Sequence, residues 1–131
     1  MKYLFSLILL IVCLNMNAQK VFTFSGSHAT IDTVTNTGTV TLAMRGVTAT
    51  YQSACFQIVN TKISGTVAGK TYLQASLDNT NFVSIDSLTN TDKAVNTKLF
   101  TVTNPQHAYY RFLWTGTGTM SAKTQGYAHF K

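Results

Sequence analysis

The feature that most constrains the fold is an alternation of apolar and polar residues with a period of two. Such runs recur from Val21 to Phe130 and are broken about every ten residues by turn-forming Asn, Asp and Gly. Successive side chains of a strand point to opposite faces, so this period is typical of half-buried strands. Thr, which favours strands, occupies 22 of the 131 positions. The pattern predicts an all-β antiparallel sandwich or jelly roll of eight or nine short strands.

Some details of the strands also follow from this pattern. Residues 49–59 predict either one long strand or two strands bent at a bulge, and Asp78–Asn81 predicts a tight turn between two strands. We expect residues 109–114 and 120–130 to pair with each other across the Thr-Gly turn at 115–119.

The N-terminus has the order of a secretory signal. Lys2 precedes an apolar run over residues 3–14, and the small residue Ala18 follows a short polar stretch. The run is shorter than the roughly 20 residues that span a bilayer, so we expect cleavage after Ala18 rather than a retained membrane anchor or a lipoprotein attached at Cys13. The chain is then a signal-like segment, 1–18, and one exported domain, 19–131, with a membrane partner only if the segment is retained. Cys55, the cysteine that would remain, is expected in the core.

Catalysis finds little support in the sequence, because the only acids are four Asp and there is no Glu. Asp78 and Asp86 would lie roughly 26 Å apart on a regular strand, too far for the paired carboxylates of a glycosidase. The sequence has no Gly-x-Ser-x-Gly motif, which would present a nucleophilic serine, and the three His do not have the spacing of metal ligands. Asp78–Asn81 resembles a calcium loop only in part, and an ordinary turn explains it better. We predict no enzyme, no catalytic residue, no metal and no cofactor.

The net charge of +6 is the usual first sign of a nucleic-acid partner. Here Lys and Arg are spread singly along the chain, and the excess arises from missing acids. We therefore expect no nucleic-acid partner, and attraction to an anionic surface fits better.

Aromatic residues concentrate near the C-terminus and alternate there. Tyr110, Phe112 and Trp114 would share one face of a strand, and the other face would carry the candidate interface Tyr109, Arg111 and Leu113. One row must face the core. The other row could stack on sugars, bury itself against another subunit or pack between the sheets.

Residues 72–85, followed by Phe100 and by Tyr109–Gly118, carry a recurring pattern: a strand ending in Ser-x-Asp, a turn, an apolar strand and a later Tyr-x-Arg strand. This pattern resembles β-sandwich modules of tailed-phage virion proteins and of secreted Bacteroidota proteins. Asn79 stands where the pattern often has Gly, and Phe82 where it often has Trp. The resemblance covers about the last 60 residues and implies structural or adhesive roles without a catalytic residue.

These observations favour a secreted or particle-exposed, non-enzymatic surface protein. The first hypothesis is a virion-associated assembly component, such as a capsid decoration, vertex or fibre protein, that forms a homo-oligomer or binds other structural proteins. The alternative is an exported module that binds glycan or another cell-surface polymer. The resemblance favours the first hypothesis and the signal favours the second.

Overall fold

The computed structural model describes residues 20–23, 31–44 and 51–131. Their regular structure consists of nine strands: β1 Lys20–Thr23, β2 Ile31–Thr35, β3 Thr39–Met44, β4 Ser53–Gly65, β5 Gly69–Ser76, β6 Val83–Asn90, β7 Val95–Thr103, β8 Tyr109–Gly116 and β9 Met120–Phe130. The all-β prediction is confirmed. The signal-like segment 1–18 lies outside the described residues, and those described include no helix that could cross a membrane.

The strands form two antiparallel sheets. In the five-stranded sheet the order is β1-β9-β4-β7, and β2 lies beyond β1 along the same edge of β9. The four-stranded sheet has the order β3-β8-β5-β6. Most connections therefore cross from one sheet to the other, and β5–β6 is a hairpin within one sheet.

Strand pairing corrects one expectation and resolves another. β8 and β9 do not form a hairpin, because β8 pairs with β3 and β5 whereas β9 pairs with β1, β2 and β4. The Thr-Gly turn at 115–119 thus carries the chain between sheets, which lets both strands cover the core. β4 is a single strand of 13 residues, and its register shift lies between Lys62 and Ser64, beyond the region where a bulge was considered.

The core lies between the sheets and follows the alternation of the strands. In β8, for example, every second residue from Tyr110 is buried. One large apolar cluster spans both sheets, and a smaller one lies around Trp114 near the 115–119 turn. At that end Gly65 has a φ of +71°, and a Cβ there would lie 1.9 Å from the carbonyl oxygen of Thr119. Glycine is therefore required for the two turns to approach each other.

Four buried polar side chains join the two sheets, and we call them the interior amide cluster: Asn60, Thr71, Asn90 and Thr124. The Asn60 amide donates to Oγ1 of Thr71 at 3.0 Å and to Oδ1 of Asn90 at 2.8 Å. Its own Oδ1 accepts a bond from the Thr124 hydroxyl at 2.7 Å, and the Asn90 amide donates to Thr71 at 2.8 Å. Both asparagine amides thus find partners inside the sandwich, which offsets the free-energy cost of burying them.

Candidate functional site

The structure places Tyr109, Arg111 and Leu113 together on the outer side of β8. All three are half-buried, whereas the residues between them, Tyr110 and Phe112, are about 1% exposed. The outward row is therefore the one that the sequence named as a candidate interface. What this row can bind depends on the side chains of the strands beside it.

β5 lies next to β8 and adds its own outward residues. Tyr72 is the register partner of Leu113, and Gln74, which is 9% exposed beneath its neighbours, is the partner of Arg111. Lys70, further along β5, is exposed. Together with Phe82, which precedes β6, these side chains form a surface that we call the aromatic face: Lys70, Tyr72, Gln74, Phe82, Tyr109, Arg111 and Leu113.

The sequence did not point to the β5 part of this surface. The alternation of Lys70, Tyr72 and Gln74 with Thr71 and Leu73 was visible, and it assigns the first three to one side of the strand. Only the pairing of β5 with β8 shows that this side continues the row of the candidate interface.

Arg111 is the best-fixed side chain of the aromatic face. Its Nε donates to Oε1 of Gln74 at 2.7 Å, and the Gln74 amide donates to Oγ of Ser84 at 3.1 Å. Its Cζ lies 3.8 Å from the centroid of the Phe82 ring, a cation–π contact. Partial burial lowers the pKa of the guanidinium, which nevertheless stays charged at any physiological pH. The result is a positive charge held in one orientation.

The turn at Asp78–Asn81 leads directly to Phe82. Oδ1 of Asp78 accepts bonds from the hydroxyl of Ser76 at 2.7 Å and from the backbone N–H groups of Thr80 and Asn81, at 2.9 and 2.8 Å. These bonds lower the pKa of the Asp78 carboxyl. Asn79 has a φ of +58°, a region that glycine and asparagine tolerate best, which explains why it can replace the usual Gly. Asp78 thus serves the turn, as expected.

An open cavity of about 300 Å³ lies beside this turn. Its apolar walls include Ala75, Leu77 and Val83, and His107 also borders it. Leu77 and Val83 are each 71% exposed. In the described part of the chain, no three Asp, Cys or His side chains lie close enough to hold a metal ion, here or elsewhere.

The outer side of the five-stranded sheet is a second surface, which we call the opposite face: Gln57, Leu99, Gln125 and Tyr127. Tyr127 is half-buried like Tyr109, and Leu99, whose strand neighbour is Gln57, is 62% exposed. Around Tyr127 this face presents neutral side chains, and its exposed cation, Lys123, lies four residues away on β9.

Cys55 also lies on the outer side of this sheet, so its expected place in the core is wrong. It is half-buried and is the register partner of His129, whereas Ala54 and Phe56 on either side of it are buried. The apolar neighbours that suggested burial are the reason for the error, since a strand turns adjacent residues to opposite faces.

Comparisons with known proteins concern the fold. Neither the protein-family models nor the curated proteins include a match to this chain. Among solved structures, the PBSX exported protein XepA is similar with a TM-score of 0.57 and 10% identity over 85% of this chain, which spans 36% of XepA. The C-terminal CBM6 of LamC, a marine laminarinase from Zobellia galactanivorans, is similar with a TM-score of 0.50, 7% identity and coverage of 86% and 100% of the two chains.

A variant of the family 29 carbohydrate-binding module CBM29-2 has a TM-score of 0.50, 8% identity and coverage of 86% of this chain and 81% of that one. The chain therefore has the β-sandwich fold that carbohydrate-binding modules and the PBSX exported protein XepA share. At these identities the likeness establishes the fold and leaves the function to the surface.

Proposed function

We propose that the protein is an exported, non-enzymatic module that binds a polysaccharide on its aromatic face. The observation that carries the proposal is the arrangement of Tyr72, Tyr109 and Leu113 around the fixed guanidinium of Arg111 on one side of a sheet. The fold supports it, because similar structures include carbohydrate-binding modules. This is the second of the two hypotheses that the sequence raised.

The chemistry of the face suits a sugar polymer. A tyrosine ring offers an apolar plane that can lie against the C–H side of a pyranose, and its hydroxyl can exchange hydrogen bonds with the sugar. The terminal N–H groups of Arg111 add donors with a fixed direction. Because the surface lies across neighbouring strands rather than inside a deep cavity, a chain of sugars fits it better than an enclosed small molecule.

Binding is tested by calorimetry or affinity electrophoresis against a panel of soluble polysaccharides, with the domain from residue 19 onward. Tyr72→Ala and Tyr109→Ala should each weaken binding about tenfold, equivalent to about 1.4 kcal/mol. Tyr127→Ala removes the same side chain from the opposite face and should leave the affinity unchanged. Equal losses in all three variants, or no binding to any polysaccharide by the wild type, would contradict the proposal.

Two observations favour the assembly hypothesis. Leu77 and Val83 leave apolar surface exposed, and the PBSX exported protein XepA shares the fold. On this hypothesis the protein is a virion-associated or particle-exposed component. Native mass measurement separates the two: a defined oligomer without affinity for any polysaccharide supports assembly, and a monomer that binds polysaccharide supports the glycan-binding module.

A further inference from the structure

The guanidinium of Arg111 is a partly buried charge to which no described residue supplies a counter-charge. Its Nε is bonded to the neutral amide of Gln74, and one flat side rests on Phe82. In the part of the chain that the structure describes it forms no ion pair. Removing a charge from water costs free energy unless an opposite charge or good hydrogen bonds compensate. No described residue accepts a hydrogen bond from the four N–H groups at its two terminal nitrogens, which are therefore available to a ligand.

Two of the four acids are already paired with lysines. Oδ1 of Asp86 lies 2.8 Å from Nζ of Lys98, and Oδ1 of Asp92 lies 2.7 Å from Nζ of Lys62. Asp86 lies on β6 at the edge of its sheet and Asp92 lies between β6 and β7, and each is paired with a lysine rather than with Arg111.

The other two acids are hydrogen-bonded to residues near them in sequence. Asp78 accepts bonds from Ser76, Thr80 and Asn81. Oδ1 of Asp32 accepts a bond from the N–H of Thr33 on β2, in the five-stranded sheet. The chain therefore supplies Arg111 with no carboxylate from any of its four acids.

A second cation extends the positive region along the same strand. Lys70 is exposed, its Nζ lies 5.7 Å from the centroid of the Tyr72 ring, and it belongs to neither ion pair. Lys70 and Gln74, the partner of Arg111, are four residues apart on β5, or about 13 Å along the strand. An extended polymer lying across Tyr72 would thus meet positive charge on both sides of the ring.

From this arrangement we propose that the ligand is an anionic polysaccharide, whose carboxylate or sulfate groups pair with Arg111 and Lys70 while its sugar rings pack on Tyr72 and Tyr109. This inference rests on the proposed function and specifies the class of polymer. A uronic acid offers a guanidinium the two oxygens of a planar carboxylate, and a sulfate ester offers it three terminal oxygens. Either group can accept two N–H bonds from Arg111 and neutralise its charge.

The experiment compares polymers that differ only in charge. A polyuronate is matched with its carboxyl-reduced form and a sulfated glycan with its desulfated form, and each is titrated against the domain. Salt is raised from about 0.01 M to about 1 M, which shortens the Debye length from about 30 Å to about 3 Å. We expect binding to the charged form, at least about tenfold weaker binding to the neutral form, and a marked loss of affinity at high salt.

Variants locate the charge that matters. Arg111→Gln should weaken binding to the anionic polymer about tenfold, and Lys70→Gln, which changes an exposed residue and leaves the fold intact, should weaken it by a smaller factor. Lys123→Gln removes one positive charge from the five-stranded sheet and should have little effect. Circular dichroism and thermal melting of Arg111→Gln separate a lost contact from a lost fold.

The outcomes separate the inference from the proposal on which it rests. Equal binding to neutral and charged forms, without salt dependence, overturns the anionic ligand and keeps the glycan-binding module. Binding to no polysaccharide overturns both. Tighter binding to double-stranded DNA than to any charged glycan, at equal salt, would show a nucleic-acid ligand instead and would also overturn the inference.

Discussion

The outer sides of the two sheets are built from the same strand pattern and differ in what they present. Both carry a half-buried tyrosine near the C-terminus, Tyr109 on the aromatic face and Tyr127 on the opposite face. Among the residues that the structure describes, it is the aromatic face that combines its tyrosines with a guanidinium, held between Gln74 and Phe82. The difference shows that the neighbours supplied by strand order, rather than the alternation itself, turn a row of outward residues into a candidate site.

The largest effect should separate the aromatic face from the core beneath it. Phe112→Ala removes a buried ring and should lower the free energy of unfolding by about 3–5 kcal/mol. Leu113→Ala, one residue further on and on the outer side, should lower it by about 1 kcal/mol or less. Urea denaturation measures both. Similar losses would mean that the outer row also belongs to the core and that the two faces are not comparable surfaces.

A smaller effect on stability, with a clear effect on association, is expected from two matched double variants. The double variant Tyr109→Ser, Leu113→Ser should stay folded and lose most of its polysaccharide affinity. If the wild type is an oligomer, this variant should be a monomer. Tyr127→Ser with Leu99→Ser makes the same changes on the opposite face and should alter neither property. Native mass measurement and calorimetry decide; if the second pair has the larger effect, the site lies on the five-stranded sheet.

The smallest effect concerns the turn that precedes Phe82. Hydrogen bonds from Asn81, Thr80 and Ser76 depress the pKa of Asp78 in the folded protein, so their contribution to stability is present above the unfolded pKa of about 3.9 and is lost as the pH falls through the folded pKa. Asp78→Asn should therefore lower Tm slightly at neutral pH and reduce the fall in Tm in acid.

The acid melting curves have an internal control. Lys98 depresses the pKa of Asp86 and Lys62 that of Asp92, so the stability that these two ion pairs contribute should decrease in high salt. The stability that Asp78→Asn removes arises from hydrogen bonds and should persist in high salt. If high salt abolished it as well, the hydrogen bonds of the turn would not be its origin.

Period-two alternation predicted the fold class, the strand spacing and the two rows of side chains on β8, because these depend on local geometry. The Asp78 turn was also predictable, since its bonds join residues close in sequence. The pairing of β8 was not: the short turn at 115–119 favours a hairpin locally, and only the shared core explains why β8 and β9 lie in different sheets.

For the same reason, the alternation did not show that Tyr72, Gln74 and Phe82 share a surface with Arg111. Their relation to Arg111 spans about 30 to 40 residues of sequence and exists only through the pairing of β5 with β8 and the turn after β5. The prediction that Cys55 lies in the core was wrong for a different reason: it relied on the apolar composition of a short run rather than on the alternation of its side chains.

The interior amide cluster has a consequence for where the aromatic face forms. Asn60 of β4 bonds to Thr71 of β5 across the sandwich, and Thr71 immediately precedes Tyr72. Sliding one sheet over the other by two residues would set the Asn60 amide against aliphatic neighbours and leave it without acceptors, a cost that apolar side chains alone would not impose. The buried Asn60 amide therefore fixes the position of one sheet relative to the other, and with it the position of the Tyr72 ring on the outer side of the four-stranded sheet.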